Sequence, residues 1–152
     1  MAFEYNKQAV LNEDGVYGPN SVGHKYKPAP YHGVKARRRA DKSRWAYPSS
    51  AEYHVFNLAD EHKGEMDENG KRDIRWMNDN DDGLFSMVDD CNEILGKDEE
   101  RLAFFPKPMN EGDPWHGYPV DSSDLGENLI EYWHNKDLIS NTTYLRLMRH
   151  KI

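Results

Sequence analysis

Cysteine is nearly missing from this sequence, with Cys91 alone among 152 residues. No intramolecular disulfide can form, so packing and hydrogen bonds must hold the fold. Long apolar runs are also missing. No stretch approaches the roughly 18 apolar residues of a spanning helix, and the N-terminal region has no apolar leader core. A cytoplasmic protein without membrane association is the expectation. Hydrophobic residues are scarce at 37%, against 31% charged, and mean hydropathy is -1.00. Such a composition borders on disorder, but four Trp, nine Tyr and five Phe argue for one packed core. The length suits a single domain.

Signature motifs are absent as well. The sequence holds no G-x-x-x-x-G-K, G-x-G-x-x-G or G-x-S-x-G, and no His pair at i and i+4. Paired His-x-Thr or His-x-Ser elements, the mark of two-histidine phosphodiesterases, are missing too. No cofactor is expected, and a non-enzymatic role is favoured.

What is present is charge, unevenly spread around a net of -7. Residues 25–44 carry eight Lys and Arg against one acid, Asp41, whereas residues 45–145 carry 23 acids against 8 bases. Arg146, Arg149 and Lys151 make a basic tip. A basic strap, an acidic body and a basic tip suggest a partner surface, or a strap docked on its own body.

Periodicity predicts an α+β fold. Residues 1–50, punctuated by Gly and Pro, read as an extended wrapping segment around a compact unit at 51–152. Residues 52–58 alternate as a strand, Asn69-Gly70 signals a hairpin, and 71–77 reads as its return. Leu84, Met87, Val88, Cys91 and Leu95 fall on one stripe, predicting an amphipathic helix over 83–95 ended by Gly96. Arg101–Phe105 reads as a strand stopped by Pro106. A helix pair is expected at the C-terminus. Its first member spans about 124–134, with Asp124 and Glu127 spaced as a capping box; its second is capped by Ser140 or Asn141 and ends near His150. The three strands would form a small, mainly antiparallel sheet with the helices packed on one side.

Candidate sites follow from local chemistry. Asp113-Pro-Trp115-His116-Gly-Tyr118 combines a carboxylate, an imidazole and aromatic walls in one loop. His54 and His116, with Asp113, are the candidates for a histidine-dependent hydrolase or phosphodiesterase. Asn78, Asn80, Asp82 and Asp89 mimic the first, third, fifth and twelfth positions of a calcium loop, but an Asp-rich helix start explains them equally. Arg37, Arg38, Arg39 and Arg44, with Trp45 available to stack, are the best nucleic-acid signal, joined by Arg146 and Arg149. The leading expectation is a regulator or inhibitor that binds a protein partner through its aromatic loops and acidic body. Nucleic-acid binding through the strap is the alternative.

Overall fold

The computed structural model describes residues 3–63 and 75–152. Three strands, β1 (Gly83–Ser86), β2 (Leu102–Pro106) and β3 (Tyr118–Val120), form an antiparallel sheet in the order β1-β2-β3. Three helices accompany it: α1 (Ser49–Asp60), α2 (Glu127–Asn135) and α3 (Asn141–Met148). The fold is therefore α+β, and the N-terminal third carries only a single 3-10 turn, Pro30–His32. The rest of the segment, among the described residues, runs through turns and isolated bridges without a regular element. Tyr17 and Tyr26 exchange backbone hydrogen bonds, and residues 25–27 pair with Trp115.

Two elements correct the sequence reading. The alternation at 52–58 is part of α1, not a strand. Its seven residues are too few to separate a period of 2 from 3.6. Ala51, Val55 and Ala59, with Glu52, Phe56 and Asp60, make one buried helical stripe. Conversely, the 83–95 segment is β1 followed by turns, not a helix. All four β1 residues are buried, and Asp89, Asp90 and Cys91 take positive φ of 52°, 59° and 60°. Three consecutive left-handed residues cannot continue an α-helix. Pairing with β2 through Leu84↔Phe105 and Phe85↔Phe104 outweighs local helical spacing here. The conformation is pinned from outside: Ser140 N–H donates to Asp90 Oδ1 at 2.7 Å, and Thr143 Oγ1 to the Asp90 carbonyl at 3.3 Å.

The Asn69-Gly70 turn and most of the 71–77 strand lie outside the described residues. Met77 bridges Leu84, so residues 76–78 pair with β1 across a tight turn at Asn78–Asp82. This turn is the calcium-loop look-alike. Asn78 uses its amide to accept from Gly126 N–H (2.9 Å) and to donate to the Asp124 carbonyl (3.2 Å), while Asp89 lies beyond β1. Among the described residues, no three His, Cys, Asp or Glu side chains converge as a metal site.

A strand and two C-terminal helices form near 101–105, 124–134 and 141–150, but β2 runs on through Pro106 and α2 begins only at Glu127. Ser140 caps α3, accepting from Thr143 N–H at 3.1 Å. The expected Asp124/Glu127 box is not used on α2. Instead Asp79 accepts from Asn128 and Leu129 N–H at 3.0 and 3.1 Å, a cap supplied by another part of the chain.

One core joins both parts of the chain. Leu84, Ser86, Ala103 and Phe105 share the sheet face turned to α1, where Ser86 Oγ–H donates to the Val55 carbonyl at 2.7 Å and Phe105 meets Phe56 edge-on at 5.3 Å. Trp45 and Tyr26, both fully buried, close this layer from the N-terminal side. The opposite sheet face carries Phe85, Phe104, Tyr118 and Val120. No helix among the described residues is long and apolar enough to cross a membrane.

Candidate functional site

Two different environments flank the 113–118 loop, because alternate residues of an extended chain point opposite ways. Trp115 is buried and floors a cavity of about 630 Å3 that Asp113 also lines. His116 and Tyr118 instead line a second cavity of about 560 Å3, together with His32, Arg39 and Lys42. Gly117 between them admits no Cβ, which would lie 2.1 Å from Phe105 Cδ1. Its carbonyl accepts from Trp45 Nε1–H at 3.1 Å. Trp45 is thus a core residue with no exposed face on which a base could stack.

The second cavity is built on the outer sheet face. His32 is buried, stacks on Tyr118 with centroids 4.7 Å apart, and donates Nδ1–H to the Ser43 carbonyl at 2.6 Å. Burial lowers the pKa of both His32 and His116. Above them the strap makes a tight turn in which Lys42 N–H donates to the Arg39 carbonyl at 3.3 Å and Lys42 Nζ lies 5.2 Å from the Tyr31 ring centre. Arg37, Arg38 and Arg39 are exposed. Among the described residues the ion pairs are His24–Asp60, Arg75–Asp60 and Lys107–Asp81, and none involves the strap. Backbone bonds hold the strap instead: Trp45 N–H to the His32 carbonyl (2.8 Å) and Lys97 N–H to the Arg44 carbonyl (2.9 Å).

Across Tyr118 lies a third cavity, of about 490 Å3, lined by Asp82, Asp121, Asp124 and Asn80 around Phe104 and Phe85. Glu100, Tyr118 and Val120 line this cavity and the strap-side cavity alike. They form one wall between an acidic hollow and one of mixed charge, in which Arg39 and Lys42 stand beside Asp41 and Asp98. Burial raises the Tyr118 pKa, and the nearby Asp124 and Asp82 charges raise it further.

His54 sits elsewhere. It lies on α1 against Phe3 (5.7 Å) in a cavity shared with Leu58, Trp76 and Met87, and burial lowers its pKa. His116 lines the strap-side cavity and His54 this one. Arg146 and Arg149 are exposed on and just after α3. Cys91 is buried, and burial with the adjacent Asp90 pushes its thiol up to about 12, far from a reactive thiolate.

Sequence reasoning missed the most connected polar group. Asp60, fully buried, accepts from Asn20 Nδ2 (2.8 Å), His24 Nδ1 (2.7 Å) and Arg75 Nη1 (3.3 Å). Glu52, buried on the same stripe, accepts from Tyr26 O–H at 2.9 Å. Burial raises its pKa to about 8. Reading 49–60 as a helix is what would have flagged both, because 52, 56 and 60 then fall on an apolar stripe where carboxylates are costly.

No protein-family model matches this chain, and comparison with curated proteins and with solved structures found no match to either.

Proposed function

We propose that this chain is a cytoplasmic, non-enzymatic protein-binding protein, a regulator or inhibitor that docks through the groove on either side of Tyr118. The supporting observation is the wall of Glu100, Tyr118 and Val120 shared by one cavity rich in carboxylates and another in which Arg39 and Lys42 stand beside Asp41 and Asp98. An aromatic floor with carboxylates on one side and charges of both signs on the other suits a protein surface of mixed charge. A nucleic acid presents one sign only, and the Asp82, Asp121 and Asp124 side of the groove would repel it. Tyr and Arg are the residue types that anchor such contacts.

The test is affinity capture from source-cell lysate with nuclease present, comparing wild type with Arg38→Glu/Arg39→Glu and with Asp124→Lys. A discrete protein retained by wild type and lost by both variants supports the proposal. Retention by all three removes the groove from the interaction. Recovery of nucleic acid in a nuclease-free arm, abolished at high salt and by Arg38→Glu/Arg39→Glu but not Asp124→Lys, makes the strap a polyanion-binding element instead. In that reading the unpaired, exposed Arg37, Arg38 and Arg39 carry the contact.

A further inference from the structure

The cavity floored by Trp115 lies apart from the Tyr118 groove and has its own preorganised donors. Asp60 ends α1 without solvent exposure and binds an imidazole and a guanidinium from different segments. His24 Nδ1 meets Oδ2 at 2.7 Å and Arg75 Nη1 meets Oδ1 at 3.3 Å. Asn20 Nδ2 bonds the same carboxylate, which fixes the turn carrying His24 against the end of the helix. Both groups also rest on one surface. The His24 ring centroid lies 5.6 Å from that of Trp115, and Arg75 Cζ lies 5.9 Å from it. An imidazole and a guanidinium are thus locked side by side by a carboxylate behind them and an indole beneath them.

Their free ends face the cavity. With Nδ1 bonded to Asp60, Nε2 is the remaining ring nitrogen of His24, and it has no partner among the described residues. Arg75 uses only Nη1 in a hydrogen bond there, leaving the rest of its fork. The two side chains are 31% and 26% exposed, and both line the cavity of about 630 Å3 with Lys107 on the same wall. In the protonated ring Nε2–H is a donor, and an arginine fork beside it matches the tetrahedral oxygens of a phosphoryl group. The volume leaves room for a small organic group attached to it.

We propose that this cavity binds a phosphate monoester of a small metabolite, with Arg75 and His24 as the phosphate-contacting residues and Asp60 as the residue that positions both. Glu111 and Asp113 also line the cavity and oppose any anion, so affinity is modest, with half-saturation on the order of 1 mM. Asp113 accepts from Asn110 Nδ2 at 3.2 Å, and both line the cavity. The proposal is independent of the Tyr118 groove, and either can fail alone.

The experiment is NMR titration of the full chain, following the His24 imidazole C–H signals. Glycerol phosphate, inorganic phosphate, acetate and sodium chloride are added at matched ionic strength. Saturable shifts are expected with glycerol phosphate and inorganic phosphate, the ester binding at least as tightly, and none with acetate or chloride. Arg75→Gln and His24→Gln are each expected to weaken glycerol phosphate binding at least tenfold, the latter read from the Trp115 indole signal. The His32 and His116 signals should stay in place as evidence of an intact fold. Asp60→Asn serves as a further variant only if those reporter signals are retained. The proposal is overturned if phosphate and chloride give the same response, if no shift saturates, or if Arg75→Gln binds as wild type does.

Discussion

Replacing Glu52 with Gln isolates the energetic consequence of burying a carboxyl group in this core. The side chain is 1% exposed, and its pKa is raised from 4.5 to about 8 by burial, against a smaller lowering by the Tyr26 hydroxyl. The sign follows directly. Between these two values the folded chain keeps a proton that the unfolded chain has lost. The native state therefore loses stability as pH rises from about 4.5 to about 8, at close to 1.4 kcal/mol per pH unit, and the effect levels off above. At pH 7 the accumulated cost is about 3 kcal/mol. Glutamine is nearly isosteric, cannot ionise, and keeps an oxygen to accept the Tyr26 O–H bond. Seating its amide N–H groups costs about 1 to 3 kcal/mol if one is left unsatisfied, a penalty independent of pH. The decisive quantity is thus the slope of the difference rather than its absolute value. Urea unfolding of both proteins at half-unit steps from pH 5 to 8.5 should show the variant gaining on wild type steadily up to about pH 8. Other titrating groups act alike on both and cancel. A difference that stays flat across this range would refute the assignment, since Glu52 would then titrate alike in folded and unfolded chains.

Acid works in the opposite direction. Burial lowers the pKa of His32, His54 and His116, so the unfolded chain takes up protons that the native state resists, and stability falls as pH drops below about 6.5; combined His32→Gln/His54→Gln/His116→Gln substitution should flatten that limb of a stability–pH curve. Asp79→Ala removes the two side-chain caps on α2 and should cost about 1 kcal/mol in urea unfolding, whereas Glu127→Ala should cost clearly less, reversing the order expected from the 124/127 spacing. Cys91 should resist a thiol reagent at pH 8 in the native protein and react at once in denaturant; rapid native labelling would contradict its burial. Gly117→Ala should destabilise by about 1 to 3 kcal/mol, because the new methyl meets Phe105 and the backbone at Phe104, with near-UV circular dichroism reporting the displaced aromatics.

The limits of sequence reading show most clearly in α1 and β1. Over 52–58 the alternation of bulky and polar residues is genuine, yet it is a fragment of a helical stripe that only the longer window 51–60 reveals. Over 83–95 the helical spacing is also genuine, but Phe85 and Ser86 are buried as deeply as Leu84 and Met87, which a one-sided helix could not achieve. Extended pairing with β2 buries both faces. Within the candidate site, the 113–118 loop could be singled out by composition alone. Its split into two environments could not, nor could the meeting of residues 20, 24, 60 and 75.

By itself the sequence determined what local chemistry decides. Aromatic content made a core possible, the Ser140 hydroxyl started α3, the apolar residues before Pro106 made β2, and Gly and Pro kept the first fifty residues from forming long elements. Each depends on neighbours within a turn or a strand length, so the signal is contained in a few adjacent letters. Tertiary structure decided the rest: strand or helix for two ambiguous segments, Asp79 as the cap of α2, Asp60 as a hub, and a basic turn beside an acidic hollow across Tyr118. These depend on partners tens of residues away. Their free energy comes from burial and hydrogen bonding that exist only once the chain has closed on itself.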